Sequence, residues 1–211
     1  MKTILITGFE PFGGMDLNPS QEIARQLNGH VIAGRRVVGR ILPCVFGAAN
    51  VELRALLREF EPEIVLAVGQ GDGRAEVTPE RVAINVDDAR IPDNAGVQPV
   101  DRRIVAGGPA AYWSTLPIKA IVAALRAHEI PASVSQTAGT FVCNHVFYGL
   151  MHALRRRGGR GGFIHVPWLP EQAKRGQPSL PLPTMVEAVA LAAGVAATVR
   201  RDVRLADGKT A

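Results

Sequence analysis

The stretch Thr3-Ile4-Leu5-Ile6-Thr7-Gly8, near the start of the 211-residue chain, predicts a short buried β-strand that ends at a glycine. Asn18-Pro19-Ser20 then has the composition of a helix start, because asparagine suits the cap position and proline the first helical position. Ile64–Val68 repeats the apolar pattern and leads into the glycine-rich turn Gly69-Gln70-Gly71-Asp72-Gly73. Strands and helices that alternate in this way predict an α/β domain.

The remaining segments continue the alternation. Helix-start residues and apolar side chains at helical spacing predict helices at about 18–28, 48–60, 118–128, 141–156 and 184–200. Short apolar or alternating runs predict strands within 31–42, 81–86, 132–136 and 162–166, and a long polar loop covers 87–109. We therefore expect residues 1–200 to form one three-layer α/β/α sandwich around a mostly parallel, twisted sheet, followed by a flexible tail over 201–211.

The composition supports a folded domain and excludes several classes of protein. Hydrophobic residues make up 47% of the chain and charged residues 20%, which excludes gross disorder and a fibrous repeat. The net charge of +5 is compatible with nucleic-acid or membrane binding but does not by itself indicate either. The two cysteines, Cys44 and Cys143, have neither disulfide-scaffold nor zinc spacing, which favours a reducing compartment. Since no signal peptide or membrane-spanning run is recognisable, we expect a soluble cytoplasmic protein.

Loops at the carboxyl ends of parallel strands are where α/β folds place their sites, and Cys143 and His165 lie in two such loops. Cys143 begins a predicted helix that Thr140 would cap. There the unpaired N–H groups and the helix dipole lower a thiol pKa and would hold an oxyanion. His165 ends the apolar run Gly162-Phe163-Ile164, so a strand would bring it to the same edge. The alternative for each residue is a buried, inert side chain.

Other candidates for the nucleophile and its base are weaker. Cys44 follows Pro43 without a helix start, and His145 lies about 200° around the helix from Cys143, on the other face. The remaining histidines lie at the far end of that helix or at element edges: His152, His30 and His128. A cysteine–histidine pair needs an orienting carboxylate, and spacing does not rank the candidates Asp72, Glu76, Glu80, Asp87, Asp88, Asp93 and Asp101.

Two further features bear on ligands. Phe9, Phe12 and Phe141 lie in the candidate loops, where they would either wall a small apolar pocket or pack in the core. The basic tract 155–162 is similar to RNA-binding sequences, but arginines followed by glycine are also an ordinary helix end. The serine-hydrolase, zinc-peptidase, P-loop and dinucleotide-binding motifs are absent from the sequence.

Several motifs occur in order between residue 3 and about residue 195: Thr7-Gly8-Phe9-Glu10-Pro11-Phe12-Gly13-Gly14, Asn18-Pro19-Ser20, Glu80-Arg81-Val82-Ala83-Ile84-Asn85, Asp88-Ala89-Arg90-Ile91-Pro92-Asp93-Asn94-Ala95-Gly96, Ser114-Thr115-Leu116-Pro117, Ala138-Gly139-Thr140-Phe141-Val142-Cys143-Asn144 and Phe163-Ile164-His165-Val166-Pro167. Together they resemble the pyroglutamyl peptidase I (pyrrolidone-carboxylate peptidase) family. Ordered matches over most of a chain are far more specific than any single motif.

The resemblance implies a cysteine peptidase that removes an N-terminal 5-oxoproline (pyroglutamate) from peptides. Its catalytic residues would be Cys143, His165 and Glu80, with the Cys143 N–H and Arg90 as candidate oxyanion donors. By the same resemblance, substrate would be bound by Phe9, Phe12, Asn18, Gln70, Ile91, Phe141 and Val142. The family further implies an α/β/α sandwich like that of purine nucleoside phosphorylases, a cytoplasmic homotetramer, and no metal, cofactor, nucleic acid or membrane.

One position departs from the family pattern, because Cys44 stands after Leu42-Pro43 where the family often has threonine. If Cys44 lines the pocket, the pocket's shape and its sensitivity to oxidation differ from the family's. Two alternatives to the peptidase remain at this stage. One is a pocket that binds a small molecule without cleaving it, and the other is an RNA-binding module built on the basic tract and the sequence pI near 9.8.

Overall fold

Fully buried apolar strands form the centre of the computed structural model, which describes residues 1–207. Over that range the strands are β1 (Thr3–Phe9), β2 (Val31–Ile32), β3 (Arg35–Leu42), β4 (Ile64–Gln70), β5 (Thr78–Pro79), β6 (Val82–Ile84), β7 (Ala111–Trp113) and β8 (Arg160–Val166). The helices are α1 (Pro19–Leu27), α2 (Ala48–Phe60), α3 (Ile118–Ala127), α4 (Val142–Arg157) and α5 (Leu182–Thr198). The long segment between β6 and α3 is mostly irregular, as the polar composition of 87–109 predicts.

The main sheet has the strand order β2-β3-β1-β4-β8-β5. β1 pairs in parallel with β3 and β4, and β4 pairs in parallel with β8, so the four central strands run the same way. The two edge strands, β2 and β5, are antiparallel to their neighbours. The expected mostly parallel α/β fold is therefore confirmed, and β6 and β7 form a separate small antiparallel sheet beside it.

Helices cover both faces of the sheet and give the expected three layers. One apolar core joins the sheet to α1, α3 and α5, and the other joins it to α2 and α4. α1 lies so close to β3 that a Cβ atom on Gly39 would be 1.9 Å from the carbonyl oxygen of Ala24. Only glycine permits that approach of helix backbone to strand backbone.

The strand predicted over 132–136 is only partly present. Isolated bridges join Ala132 to Val77 and Ser135 to Glu80. The backbone hydrogen bonds follow the pattern of a parallel ladder, with N–H donors 77, 133, 135 and 81 bonded to the carbonyl oxygens of 131, 77, 79 and 135, respectively. The bond that the same pattern requires from the N–H of residue 79 to the carbonyl oxygen of 133 is missing. Residue 79 is proline, which has no N–H to donate, so the ladder breaks at that point.

The segment 201–207 has no helix or strand, but it is attached to the domain. Asp202 accepts hydrogen bonds from the backbone N–H groups of Lys119 and Ala120, at 3.0 and 2.8 Å, and so caps the start of α3. Asp207 forms an ion pair with Arg126, at 3.1 Å. The rest of the predicted tail, 208–211, lies outside the described residues, so flexibility of 201–211 stays a prediction.

The basic tract forms the end of α4, as its helix-end interpretation predicts. Arg155–Arg157 make up the last turn, and the N–H of Gly158, whose φ is 69°, donates to Leu154. Arg160 donates instead to the carbonyl oxygens of Val199, at 2.7 Å, and Ala196, at the C-terminus of α5. The side chain of Arg160 is thus used within the fold. Among residues 1–207 no helix is both long enough and apolar enough to cross a membrane.

Candidate active site

A cavity of about 730 Å³ opens at the carboxyl edge of the central strands. It lies where the sequence predicts a site, because Phe12 follows β1, Gln70 ends β4 and His165 is the penultimate residue of β8. Its lining is Phe12, Gln70, Gly71, Asp72, Arg74, Asp88, Arg90, Ile91, Thr137, Ala138, Gly139, Thr140, Phe141, Cys143 and His165. Cys143 and His165 therefore face one shared space.

Cys143 is the second residue of α4, and its thiol lies against the backbone of β4. A Cβ atom on Gly69 would be 2.9 Å from the Cys143 Sγ atom, so the glycine makes room for the thiol. The predicted cap is wrong, since Phe141 occupies the N-cap position without a side-chain cap bond. Thr140 Oγ1 instead donates to the carbonyl oxygen of Asp88, at 2.6 Å, which ties the 87–109 loop to the start of α4.

The environment of Cys143 favours the neutral thiol. Burial raises the pKa of Cys143 to about 12, and the charge of Glu80 acts in the same direction. The positive charge of Arg74 and a backbone N–H lower that pKa, but by less. The helix start thus acts on the thiol pKa in the predicted direction, but the loss of hydration outweighs it and the net shift is upward.

His165 and Glu80 form a buried pair next to this thiol. His165 is 4% exposed and Glu80 is fully buried, and His165 Nδ1 lies 2.7 Å from Glu80 Oε1. Glu80 reaches His165 because β5, which directly precedes it, pairs antiparallel with β8 and places Thr78 opposite His165. Burial lowers the pKa of His165, an effect that the hydrogen bond to Glu80 opposes. A neutral imidazole that donates Nδ1–H to a carboxylate leaves the Nε2 lone pair available for a proton.

Arg74 also belongs to this cluster of side chains, although no sequence pattern indicates it. One Nη atom lies 2.9 Å from Glu80 Oε1, and the guanidinium also donates to the carbonyl oxygen of Thr137 and to Thr78 Oγ1. Glu80 Oε1 thus serves both His165 and Arg74, while Oε2 has no hydrogen-bond partner among the described residues. The position after Gly73 carries no sequence signal for this role, since Arg74 meets Glu80 only when the loop folds back.

The structure separates the predicted substrate-binding residues into two groups. Those that line the cavity are Phe12, Gln70, Ile91 and Phe141, and the oxyanion candidate Arg90 lines it as well. Phe9 and Val142, 2% and 1% exposed, lie in the apolar core outside the lining. Asn18 is 1% exposed and is used to cap α1, since its Oδ1 accepts from the N–H of Ser20 at 3.0 Å. Direct substrate contact by Phe9, Asn18 and Val142 stays a prediction.

The alternative candidates for nucleophile and base, Cys44 and His145, lie in different surroundings from Cys143 and His165. Cys44 is 3% exposed and lies outside the cavity lining, and burial raises its pKa strongly. His145 points away from Cys143, as the helix geometry predicts. Its Nδ1 lies 3.0 Å from each carboxylate oxygen of Asp87, and its Nε2 accepts the N–H of Gly47 at 3.0 Å. Both nitrogens of His145 are therefore occupied within the protein.

Within residues 1–207 no three His, Cys, Asp or Glu side chains are grouped so that they could hold a metal ion.

The chain is similar to known proteins in both sequence and structure. The family model for pyroglutamyl peptidase matches residues 2–199. Pyrrolidone-carboxylate peptidases of Erwinia tasmaniensis and Klebsiella pneumoniae are 57% and 59% identical, each aligned over 100% of both chains. Pyroglutamyl peptidase I of Bacillus amyloliquefaciens superposes with a TM-score of 0.93 at 49% identity, covering 96% of this chain and 100% of its own. Pyrrolidone carboxyl peptidase of Thermococcus litoralis gives 0.94 at 41%, covering 98% and 100%.

Proposed function

Because this chain belongs to the pyroglutamyl peptidase family, we propose that it removes N-terminal 5-oxoproline residues from peptides through an acyl-enzyme on Cys143. One observation carries the catalytic part of the proposal. A thiol at the start of α4 shares a cavity with a neutral imidazole whose Nδ1–H is held by a fully buried carboxylate. Nucleophile, base and orienting group are the three parts that acyl transfer by cysteine requires.

The surroundings of the thiol and the imidazole suggest the order of events. At rest both groups are neutral, so Cys143 loses its proton to His165 Nε2 as Sγ attacks the carbonyl carbon that joins 5-oxoproline to the next residue. The tetrahedral intermediate then breaks its C–N bond, and the imidazolium returns the proton to the departing amine. Water, deprotonated by His165, hydrolyses the thioester and releases 5-oxoproline. Glu80 holds the tautomer of His165 throughout and stabilises its charged form.

Negative charge on the carbonyl oxygen needs donors close to Cys143. The backbone N–H groups of the first turn of α4 have no partner within the helix and include that of Cys143 itself. Arg90 lines the same cavity and is the second candidate. Removing one oxyanion donor typically costs about 3 kcal/mol of transition-state stabilisation.

The cavity also suits a small neutral ring. Phe12, Ile91 and Phe141 supply apolar walls, and the Phe12 and Phe141 rings lie 5.9 Å apart. Gln70 supplies a polar group to a lactam. A site built on such a hydrogen bond rejects proline, which lacks the ring carbonyl.

We further propose that the enzyme acts as a homotetramer in the cytoplasm. The family resemblance supports the assembly, and the two cysteines, both free, fit a reducing compartment. The two alternatives lose support, since Cys143 and His165 line one cavity, Glu80 is bonded to His165, and Arg160 of the basic tract is bound to α5.

The test is release of a fluorophore from a pyroglutamyl-amide reporter under reducing conditions. Wild type and Cys44→Ser should cleave it, whereas Cys143→Ser should lose at least about 10³-fold in kcat/KM, in line with the loss of a catalytic nucleophile. A prolyl-amide reporter should not be cleaved. Failure of folded wild type to cleave the pyroglutamyl reporter would refute the proposed function, and full activity in Cys143→Ser would refute the assigned nucleophile.

A further inference from the structure

Two glutamines lie side by side at the cavity, and their hydrogen bonds are directional. Gln70, at the end of β4, is 4% exposed and lines the cavity. Gln172 comes from the segment that follows β8 and places its Nε2 3.1 Å from Gln70 Oε1. A side-chain amide has a donating and an accepting end, so the neighbours decide which end each glutamine presents.

The orientation of Gln172 is set by backbone groups that cannot change roles. The N–H of Leu169, which can only donate, lies 3.0 Å from Gln172 Oε1. The carbonyl oxygen of Leu17, which can only accept, lies 2.9 Å from Gln172 Nε2. Reversing the amide would place donor against donor and acceptor against acceptor. The NH₂ group of Gln172 therefore faces both Leu17 and Gln70.

The orientation of Gln70 follows from that of Gln172. Because the NH₂ of Gln172 needs an acceptor, Gln70 turns its Oε1 toward Gln172 and its own NH₂ away. That NH₂ has only long contacts among the described residues, 3.5 Å to Asp72 Oδ1 and 3.7 Å to Met15 Sδ. Such distances lie at or beyond the limit of good hydrogen bonds, and a thioether is a weak acceptor. A nearly buried donor at the cavity thus retains capacity for a ligand.

We propose that Gln172 is a specificity-determining positioning residue, which holds the Gln70 amide so that its NH₂ donates to the ring carbonyl of the bound 5-oxoproline. This inference rests on the proposed function, because that function supplies the lactam. Gln172 acts only through Gln70. Without it the Gln70 amide can rotate, and its oxygen would then face the lactam oxygen and repel it. The effect should appear in binding of the ring rather than in the chemical step.

The test is a double-mutant cycle of Gln172→Met and Gln70→Met, in which both side chains keep their length. The readouts are kcat and KM on the pyroglutamyl-amide reporter and the Kd of 2-pyrrolidinone, the bare lactam ring, by calorimetry. Gln177→Met is the matched control, since Gln177 makes the same turn bond, to the N–H of Lys174 at 2.9 Å, and lies outside the cavity lining. Unfolding temperatures report whether each variant folds.

Gln172→Met should raise KM and the Kd of 2-pyrrolidinone about tenfold, the scale of one hydrogen bond, with kcat within about twofold. When Gln70 is already methionine, Gln172→Met should raise KM and the Kd by less than a further factor of about two. Gln177→Met should leave kcat, KM and the Kd unchanged. If Gln172→Met unfolds, Gln172→Glu replaces it, because it keeps the acceptor for Leu169. An unchanged Kd, or a full second tenfold in the Gln70→Met background, would overturn the inference. Wild type that does not cleave the reporter would refute the proposed function instead. The Kd values of 2-pyrrolidinone in the four proteins of the cycle would still test the role of Gln172.

Discussion

At the scale of single residues, one oxygen atom of Glu80 contacts both His165 and Arg74. Oε1 receives both the Nδ1–H of His165 and the guanidinium of Arg74, and Arg74 is itself held by Thr78 and the carbonyl oxygen of Thr137. A buried carboxylate is stable only when it is paired and hydrogen-bonded. Arg74 therefore helps to hold Glu80, the proposed orienting group, next to His165.

Arg74→Met should lower kcat on the pyroglutamyl-amide reporter about tenfold, within the usual range for a weakened general base. The positive charge of Arg74 lowers the pKa of His165, so its removal raises that pKa. The acid limb of the kcat/KM profile should consequently move to higher pH. Arg54→Met removes an exposed charge on α2 and should alter neither quantity. An unshifted acid limb with unchanged kcat would show that Arg74 is dispensable for catalysis.

The resting protonation states lead to a second residue-level prediction. Because the pKa of Cys143 is about 12, its alkylation by iodoacetamide should accelerate about tenfold per pH unit from pH 7 to 10, without a plateau. Because the pKa of His165 is lowered from 6.5, the imidazole stays neutral below that pH, and the acid limb of kcat/KM should lie below 6.5. Mass spectrometry of Cys44→Ser protein would follow the single thiol. A neutral-pH plateau in the alkylation rate would indicate a resting thiolate–imidazolium pair instead.

Local sequence patterns indicate Cys143 and His165 as candidates for this site, but not Glu80 or Arg74. Cys143 and His165 stand at a helix start and a strand end, which are local patterns. Glu80 and Arg74 are positioned by the antiparallel pairing of β5 with β8 and by a loop that folds back, and neither is visible in local spacing. Among the candidate carboxylates, only the family resemblance selected Glu80.

At the scale of elements, backbone contacts rather than side-chain patterns account for the differences from expectation. Pro79 interrupts the ladder between β5 and 131–135, so the strand predicted over 132–136 is reduced to two isolated bridges. Thr140 bonds to Asp88 rather than to the start of α4, because the 87–109 loop passes directly over it. Both outcomes depend on a distant segment. The helices, whose periodicity is local, agree with the predicted ranges to within about two residues.

The close contact of α1 with β3 makes Gly39 sensitive to substitution. Gly39→Ala forces the helix away from the sheet, since the new Cβ would lie 1.9 Å from the Ala24 carbonyl oxygen, and should cost about 2 kcal/mol of unfolding free energy. Gly194→Ala in α5 meets only Ile32, at 3.7 Å, and should stabilise the protein by up to about 1 kcal/mol. Urea denaturation at equal protein concentration measures both. Equal stability of the two variants would contradict this account of the α1–β3 contact.

At the scale of the whole molecule, apolar surface remains on the α5 side of the sandwich. Val31 is 60% exposed and borders a shallow groove formed with α3 and α5. Exposed apolar patches of this kind commonly mark contacts between proteins. The groove is consistent with the proposed tetramer and lies apart from the cavity that Cys143 and His165 line.

Wild-type protein should sediment at about four times the mass of one chain in analytical ultracentrifugation, as the family resemblance implies. Val31→Asp places a charge in the groove and should shift the distribution toward smaller species, since burying an unpaired charge is costly. Val51→Asp is the matched control, because Val51 is 59% exposed on α2, outside that groove. A monomeric wild type would refute the tetramer, and equal behaviour of the two variants would exclude the groove as the contact.

Residues 1–207 contain two buried carboxylate–imidazole pairs, and the two differ in what surrounds the imidazole. In both, Nδ1 faces a buried acid, Glu80 for His165 and Asp87 for His145. The difference lies on the far side of each ring. The backbone of Gly47 occupies Nε2 of His145, whereas Nε2 of His165 has no protein partner among residues 1–207. Proximity of a histidine to an acid is therefore common to both pairs, and the available Nε2 lone pair distinguishes His165, the proposed base.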